Sequence, residues 1–263
     1  VPLVGLNRAL VIQGLKVMAE RRNVGLTALA DVAGLAEPPG AYHAGFVLGP
    51  RVNAGGRVGR ADLGTRLLTT NDPGEARILA EELDRHNAER KAIEAGVLAA
   101  AQDQVEAAGD PGPLVFVAAK DWHPGVIGIV AARLKEQWRR PAIVIGLADG
   151  VGKGSGRSVP GVDLGAAVIS ARQAGFLING GGHPMAAGLT VAADQIEALG
   201  RFLADRIGPQ LAQTDAAHDL RLDGTLAPGA ATADLVAKLE LGGPYGSGNP
   251  EPRFAVGGAR VIR

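Results

Sequence analysis

The 263-residue chain contains no cysteine. Disulfides, thiolate metal sites and cysteine nucleophiles are thereby excluded, and the composition suits a cytoplasmic protein, the location we expect. Aromatic residues make up only 3% of the sequence, too few for a surface that grips bases mainly by stacking. Net charge is missing too. With 27 Lys and Arg against 27 Asp and Glu, the whole molecule exerts no pull on a polyanion, so any such binding must rest on local clusters. Apolar runs such as LVFVAA (114–119) and PAIVIG (141–146) are far too short to span a bilayer; neither a signal peptide nor a membrane partner is expected. No pair of Asp, Glu or His residues at ligand spacing stands next to another such pair, so no metal-binding residue is assigned within the chain.

Glycine is abundant instead, at 39 residues, without the period of collagen, and 46% apolar content is enough for one large core or for two to three smaller ones. The chain opens on valine and closes on RFAVGGARVIR, an alternating pattern that stops without a polar tail. We expect a piece of a longer protein.

Residues 7–22 put Leu10, Val11, Gly14, Leu15 and Met18 on one side at helical spacing, and a second short helix, LTALADVAG, follows. The segment 44–68 is crowded with glycine and arginine and reads as a loop. Arg51, Arg57, Arg60 and Arg66 stand there against Asp62 alone, and Asn53 with Gly55 and Gly56 supplies the donors and bare backbone that approach to a phosphate favours. Asp72, Pro73 and Glu75 form a helix start with cap, first-turn proline and carboxylate. Apolar residues every four positions, Ile93, Val97, Ala101 and Val105, carry that helix to about residue 108, and Glu81 stands four before Arg85 as an expected ion pair. Such a helix would be roughly 50 Å long at ~1.5 Å per residue, a connector between two bodies.

From residue 114 the pattern becomes α/β: a buried strand, a helix over 123–138, a second strand at 141–146, then VGKGSGRSV (151–159). Strand alternation sets Lys153, Ser155 and Arg157 on one face and Gly152, Gly154 and Gly156 on the other. A helix capped by Asp163, the glycine loop GGGHPMAAG (180–188), a short strand and a helix over 193–207 complete the domain. The turn-rich remainder suggests an incomplete small barrel or sandwich. His123 reads as a helix start. An isolated His183 would be structural, yet beside Gly180, Gly181 and Gly182 it can donate to an anion that converging amides also hold.

Five segments in order, GPRVNAGGRVGRADLG, DWHPGVIGIVAARL, GSGRSVPGVDL, GGGHPMAAGLTV and GPYGSGNPEP, resemble the RecJ family of single-strand-specific exonucleases in the DHH phosphoesterase superfamily. The resemblance implies an α/β chain with four parts: the end of a DHH catalytic domain (1–71), a connector helix (72–110), a DHH-associated substrate-binding domain (111–209) and the start of an OB-like domain (215–263). It also implies Mn²⁺ or Mg²⁺ held by aspartates and an Asp-His-His motif that this sequence lacks. Ser155 and Arg157 match the family's 5′-phosphate pocket, Arg51, Asn53 and Arg57 its rim motif, and Lys153, Gly180, Gly181 and Gly182 its phosphate-contacting strip, with His183 in a catalytic role. The function implied is the substrate-binding part of a 5′ to 3′ exonuclease on single-stranded DNA in repair and recombination. Its partners would be single-stranded DNA, a single-strand-binding protein and a helicase, and it would act as a monomer. Two alternatives stand beside it: an oligonucleotide phosphodiesterase of the same superfamily, and a non-catalytic module that binds single-stranded nucleic acid.

Overall fold

A computed structural model of the chain describes residues 2–214 and 220–258. The ends of two expected segments, 215–219 at the start of the C-terminal domain and 259–263 in the closing strand, lie outside the described residues. Two compact units are formed, one from residues 1–55, 62–85 and 217–263, the other from 56–61 and 86–216.

The first unit is mainly helical. It holds α1 (Gly5–Ala19), α2 (Val24–Val32), a π-helical stretch (His43–Leu48), most of α3 (Gly49–Val58) and α4 (Leu63–Thr69). Segment 44–68, expected as a loop, is therefore helical except for the turn at 59–62. Close packing engages some of its backbone: a Cβ at Gly64 would stand 2.9 Å from the Val52 carbonyl oxygen, and the Leu67 carbonyl sits where a Cβ on Gly25 of α2 would be. Intimate helix contacts here outweigh glycine's poor helix propensity. Leu29, Leu48, Leu63, Leu67 and Leu83 build the core. The apolar side expected for α1 is not a core face; α1 buries no residue, Leu10 is 61% exposed, and Met18 alone of the five packs against the core.

Helix α5 (Pro73–Ala108) runs 36 residues and stops before the Gly109–Pro113 turn. Asp72 caps it, Oδ1 accepting from the Gly74 and Glu75 amides at 2.7 and 3.2 Å. Glu75 does not close a capping box: it accepts from the Thr70 hydroxyl at 2.6 Å and from Arg66 at 2.7 Å. Glu81 pairs with Arg77 rather than with the expected Arg85. Ala76, Leu79, Ala80 and Leu83 serve the core of the first unit, while Val97, Ala101 and Val105 serve that of the second.

The second unit is an α/β body around a five-stranded sheet. Its strands are β1 (Val115–Lys120), β2 (Ala142–Ala148), β3 (Val151–Arg157), β4 (Asn179–His183) and β5 (Ala186–Ala192), in the order β1-β2-β3-β5-β4. β1 and β2 are parallel, linked by α6 (Pro124–Trp138), and the other pairs are antiparallel. One face packs on α7 (Leu164–Gln173) and α8 (Ile196–Gln213) through Ile143, Ile145, Leu164, Leu189, Val191, Leu199 and Leu203. On the other, α5 and α6 cover Val115, Val117, Ala142 and Val144. GGGHPMAAG is a hairpin and not a loop, because Gly180–His183 pairs with Ala186–Leu189 around a Pro184–Met185 turn.

In the first unit's C-terminal part, β6 (Gly224–Leu226) and β7 (Phe254–Val256) pair in parallel near α9 (Ala233–Glu240) in sequence; no barrel is formed among the described residues. The glycine-rich turn before β7 is tied to the N-terminal segment, Leu3 donating to the Ser247 carbonyl at 2.6 Å and Arg8 to that of Gly243 at 2.8 Å.

The Thr70 hydroxyl first, and Arg66 second, hold the Glu75 carboxyl below the usual carboxylate range. A lowered folded-state value means stability that is present above the unfolded value of about 4.3 and lost as the pH falls through the folded one. Glu75→Gln should thus melt below wild type at neutral pH, with the gap closing on acidification, as thermal unfolding across pH 2–7 would read.

Candidate functional site

Strand β3 crosses the middle of the sheet with the expected alternation. Gly152, Gly154 and Gly156 are buried, Lys153 is exposed, and Ser155 and Arg157 are half-buried. A Cβ at Gly154 or Gly156 would meet Leu189 at 2.6 Å or Leu164 at 2.7 Å, so the core demands bare backbone there and Lys153, Ser155 and Arg157 must face the other way.

On that outward face Arg157 donates to Ser155 Oγ at 3.1 Å and to the Gly156 carbonyl at 2.8 Å. Helix α6 passes directly over them. Gly128 makes this possible: a Cβ there would stand 3.0 Å from both Arg157 Nη2 and Ser155 Oγ. The start of α6 is fixed by His123, whose Nδ1 accepts from the Gly125 amide at 3.0 Å, and by Pro124 in the first turn. His123 is therefore a cap, as expected. Arg57 belongs to the same unit and donates to the Gly125 carbonyl at 3.0 Å.

Two guanidinium groups consequently share one neighbourhood, and neither has a carboxylate partner among the described residues. Burial first, and the like charge of Arg57 second, push the Arg157 guanidinium below its ordinary value. Both effects oppose folding. An anion placed there would relieve both, accepting from Arg157, Ser155 and Arg57.

Sheet register extends this face beyond β3. Opposed residues of antiparallel strands share a face, which yields three rows: Arg157, Ala186 and His183; Ser155, Gly188 and Gly181; Lys153, Thr190 and Asn179. His183 is exposed, and its Nδ1 accepts only a long 3.4 Å contact from the Met185 amide in its own hairpin. Gly180 and Gly182 point the opposite way, into packing against Leu177, Val168 and Ala187, so only Gly181 of the triplet lies on the open face.

Arg51 and Asn53 belong to the first unit. Arg51 is engaged there, donating to Asp84 at 2.8 Å and to the Val47 carbonyl at 2.8 Å, while Asn53 is exposed. Gly128, Gly188, Thr190 and Asn179 were not singled out from the sequence. Alternation in NGGGH and AAGLTVA carries a signal for two strands, but which residues stand opposite one another depends on the turn between them.

Residues 112–208 match the DHHA1 domain family. Across 97% of its length the chain is 38% identical to two proteins named single-stranded-DNA-specific exonuclease RecJ, from Dickeya dadantii (strain 3937) and Escherichia coli (strain K12), covering 46% of each. Nearly the whole chain is thus similar to a part of RecJ. The chain spans about half the length of these curated relatives. The crystal structure of RecJ from Thermus thermophilus in complex with Mg²⁺ superposes with a TM-score of 0.84 at 33% identity, over 96% of this chain and 39% of that one. A RecJ structure bound to manganese gives 0.63 at 35% identity over 81% and 51%. Among the described residues of this chain, no three His, Asp or Glu could hold a metal ion together, so the divalent metal of those solved relatives has no fitting site among them.

Gly128→Ala should displace the Arg157 guanidinium at modest cost to the fold, since the new methyl meets only two side-chain ends. Its melting temperature should stay within a few degrees of wild type while affinity for inorganic phosphate falls, as scanning and titration calorimetry on one preparation would read.

Proposed function

We propose that this chain is the substrate-binding part of a RecJ-type, metal-dependent 5′ to 3′ exonuclease specific for single-stranded DNA. The observation that carries the proposal is the pair Arg57 and Arg157, which lack carboxylate partners among the described residues and converge beside Ser155 under the first turns of α6, next to the part of the sheet face carried by β5 and β4. Ser155 and Arg157 hold the terminal 5′ phosphate, with Arg57 adding charge. Lys153 contacts a neighbouring phosphate, Gly181 leaves room for close approach, and His183 donates to a phosphate from the same face. Gly180 and Gly182 support the hairpin from behind. In the first unit Asn53 is free to donate to the substrate backbone, and Arg51 orders the helix that carries it.

The four-part organisation implied by the family goes with this reading: the end of a catalytic domain at 1–71, the connector at 72–110, the DHH-associated domain at 111–209 and an OB-like start at 215–263. Mn²⁺ or Mg²⁺, the metals of the solved relatives, would be held by residues outside this chain and would supply charge neutralisation at the scissile phosphodiester. The residues present do the binding: they fix the position of the strand by its phosphates and carry no base code. A monomer in the cytoplasm, meeting DNA with a single-strand-binding protein and a helicase in repair and recombination, is the setting we propose.

The deciding experiment compares 5′-phosphorylated with 5′-hydroxyl oligothymidylate. Arg157→Ala should cost about 1.5–3 kcal/mol of binding on the phosphorylated strand and far less on the hydroxyl strand. Equal losses would reduce Arg157 to a general backbone contact. Affinity should fall steeply with salt and vary little with base sequence. The chain with Mn²⁺ should release no nucleotides, and metal-dependent degradation by it would overturn the assignment of the metal ligands elsewhere.

His183 provides a separate check. Exposed and weakly tied, it should be replaceable by alanine with a stability change within about 0.5 kcal/mol. In the RecJ-length protein the same change should lower single-turnover rate by about 10²- to 10⁴-fold. A destabilised variant with a normal rate per folded molecule would return His183 to the scaffold.

A further inference from the structure

Gly59 directly follows the last residue of α3, where helices commonly end on a glycine of positive φ, yet Gly59 does not have one. Backbone conformation therefore does not account for the glycine. Its surroundings do. A Cβ there would stand 2.6 Å from His86 Nε2 and 2.8 Å from Cδ2 and Cε1, so the far side of the imidazole fills the space that a side chain at position 59 would take. The ring belongs to α5 and is itself held. Its side chain is only 16% exposed, and Nδ1 lies 3.4 Å from Glu89 Oε2, one turn further along the helix. Asn87 and Arg90 beyond it are buried, Arg90 donating to Asn87 at 3.0 Å and pairing with Glu94.

Residues 56–61 and 86–216 form one unit, so this contact is internal to the body that carries β3 and α6. Two residues before Gly59 stands Arg57, which meets α6. The Arg57 carbonyl oxygen lies 2.2 Å from where a Cβ on Gly125 would be, and the guanidinium donates to the Gly125 carbonyl at 3.0 Å. The short stretch from Arg57 to Gly59 is thus held by α6 at Gly125 and by α5 at His86. A retreat of about 0.5 Å from α6 would already take the Arg57 hydrogen bond to the limit of useful geometry.

We infer that His86 is a positioning residue for the anion pocket. By closing the space at Gly59 it keeps the last turn of α3 against α6, and so holds the Arg57 guanidinium beside Arg157 and Ser155. It touches no ligand. Its influence passes through two residues of backbone, and what it controls is the separation of the two cations that share one anion. The inference rests on the proposed function, which gives Arg57 and Arg157 that common anion.

The test uses the 263-residue chain, with inorganic phosphate as the probe in titration calorimetry and thermal unfolding of every variant. His86→Ala should weaken phosphate binding by at least about fivefold. Gly59→Ala, whose methyl meets only the end of a side chain, should do the same while melting within a few degrees of wild type. Together the new methyl takes up space that the ring has left, and the double variant should bind phosphate more tightly than either single one. In an Arg57→Ala background His86→Ala should cost nothing further, a coupling that a general loss of stability would not produce. Wild-type affinity in Gly59→Ala overturns the inference even if His86→Ala fails to fold, and so does a His86→Ala loss that persists undiminished without Arg57. If wild type binds no phosphate, or if Arg157→Ala leaves phosphate binding intact, the underlying functional reading fails instead.

Discussion

Strand β3 lies at the centre of the five-stranded sheet and presents no side chain at all to the helices α7 and α8. Leu189, Ile145 and Leu164 reach from neighbouring elements into the space above Gly152, Gly154 and Gly156, so the core is filled from the sides and the strand cannot turn over. A slip of one residue would drive Lys153, Ser155 and Arg157 into that core. The chemistry of the open face is thus enforced by packing on the closed one. The same constraint propagates through register to β5 and β4, where it decides which residue of each strand joins the open face.

Close approach does the rest. Gly125 and Gly128 let α6 settle onto Arg57 and β3, which half-buries Arg157 without supplying a carboxylate. A half-buried guanidinium beside a second cation is a local cost that a fold selected only for stability would remove. A bound anion would offset it. Elsewhere in the chain arginines are neutralised in the ordinary way, as Arg51 is by Asp84 and Arg66 by Glu75.

The first unit shows glycine used for another purpose. Gly25 and Gly64 admit backbone carbonyls of neighbouring helices, which turns a stretch with little apolar periodicity into helix. Periodicity failed there because these helices pack through backbone contact as much as through an apolar stripe. It failed again at α1, where apolar spacing was present and burial was not.

The sequence by itself determined the βαβ start of the second unit, the alternation of β3, the capped beginning and the end of α5, and the local origin of the caps at His123 and Asp163. These follow from interactions within a few residues: period-two burial, a cap acceptor, a proline that cannot continue a helix. Order of the five segments also made the resemblance to RecJ legible, because motif order is a property of the string alone. What only the tertiary structure decided is what meets what. That Glu75 takes Thr70 and Arg66, that Glu81 takes Arg77, and that Arg57 shares a neighbourhood with Arg157 while Arg51 is spent on Asp84 are outcomes of side chains competing in space. The glycine triplet makes the point most sharply: in the string its three members are identical, and only pairing around the Pro184–Met185 turn sends Gly180 and Gly182 into packing and leaves Gly181 facing open space.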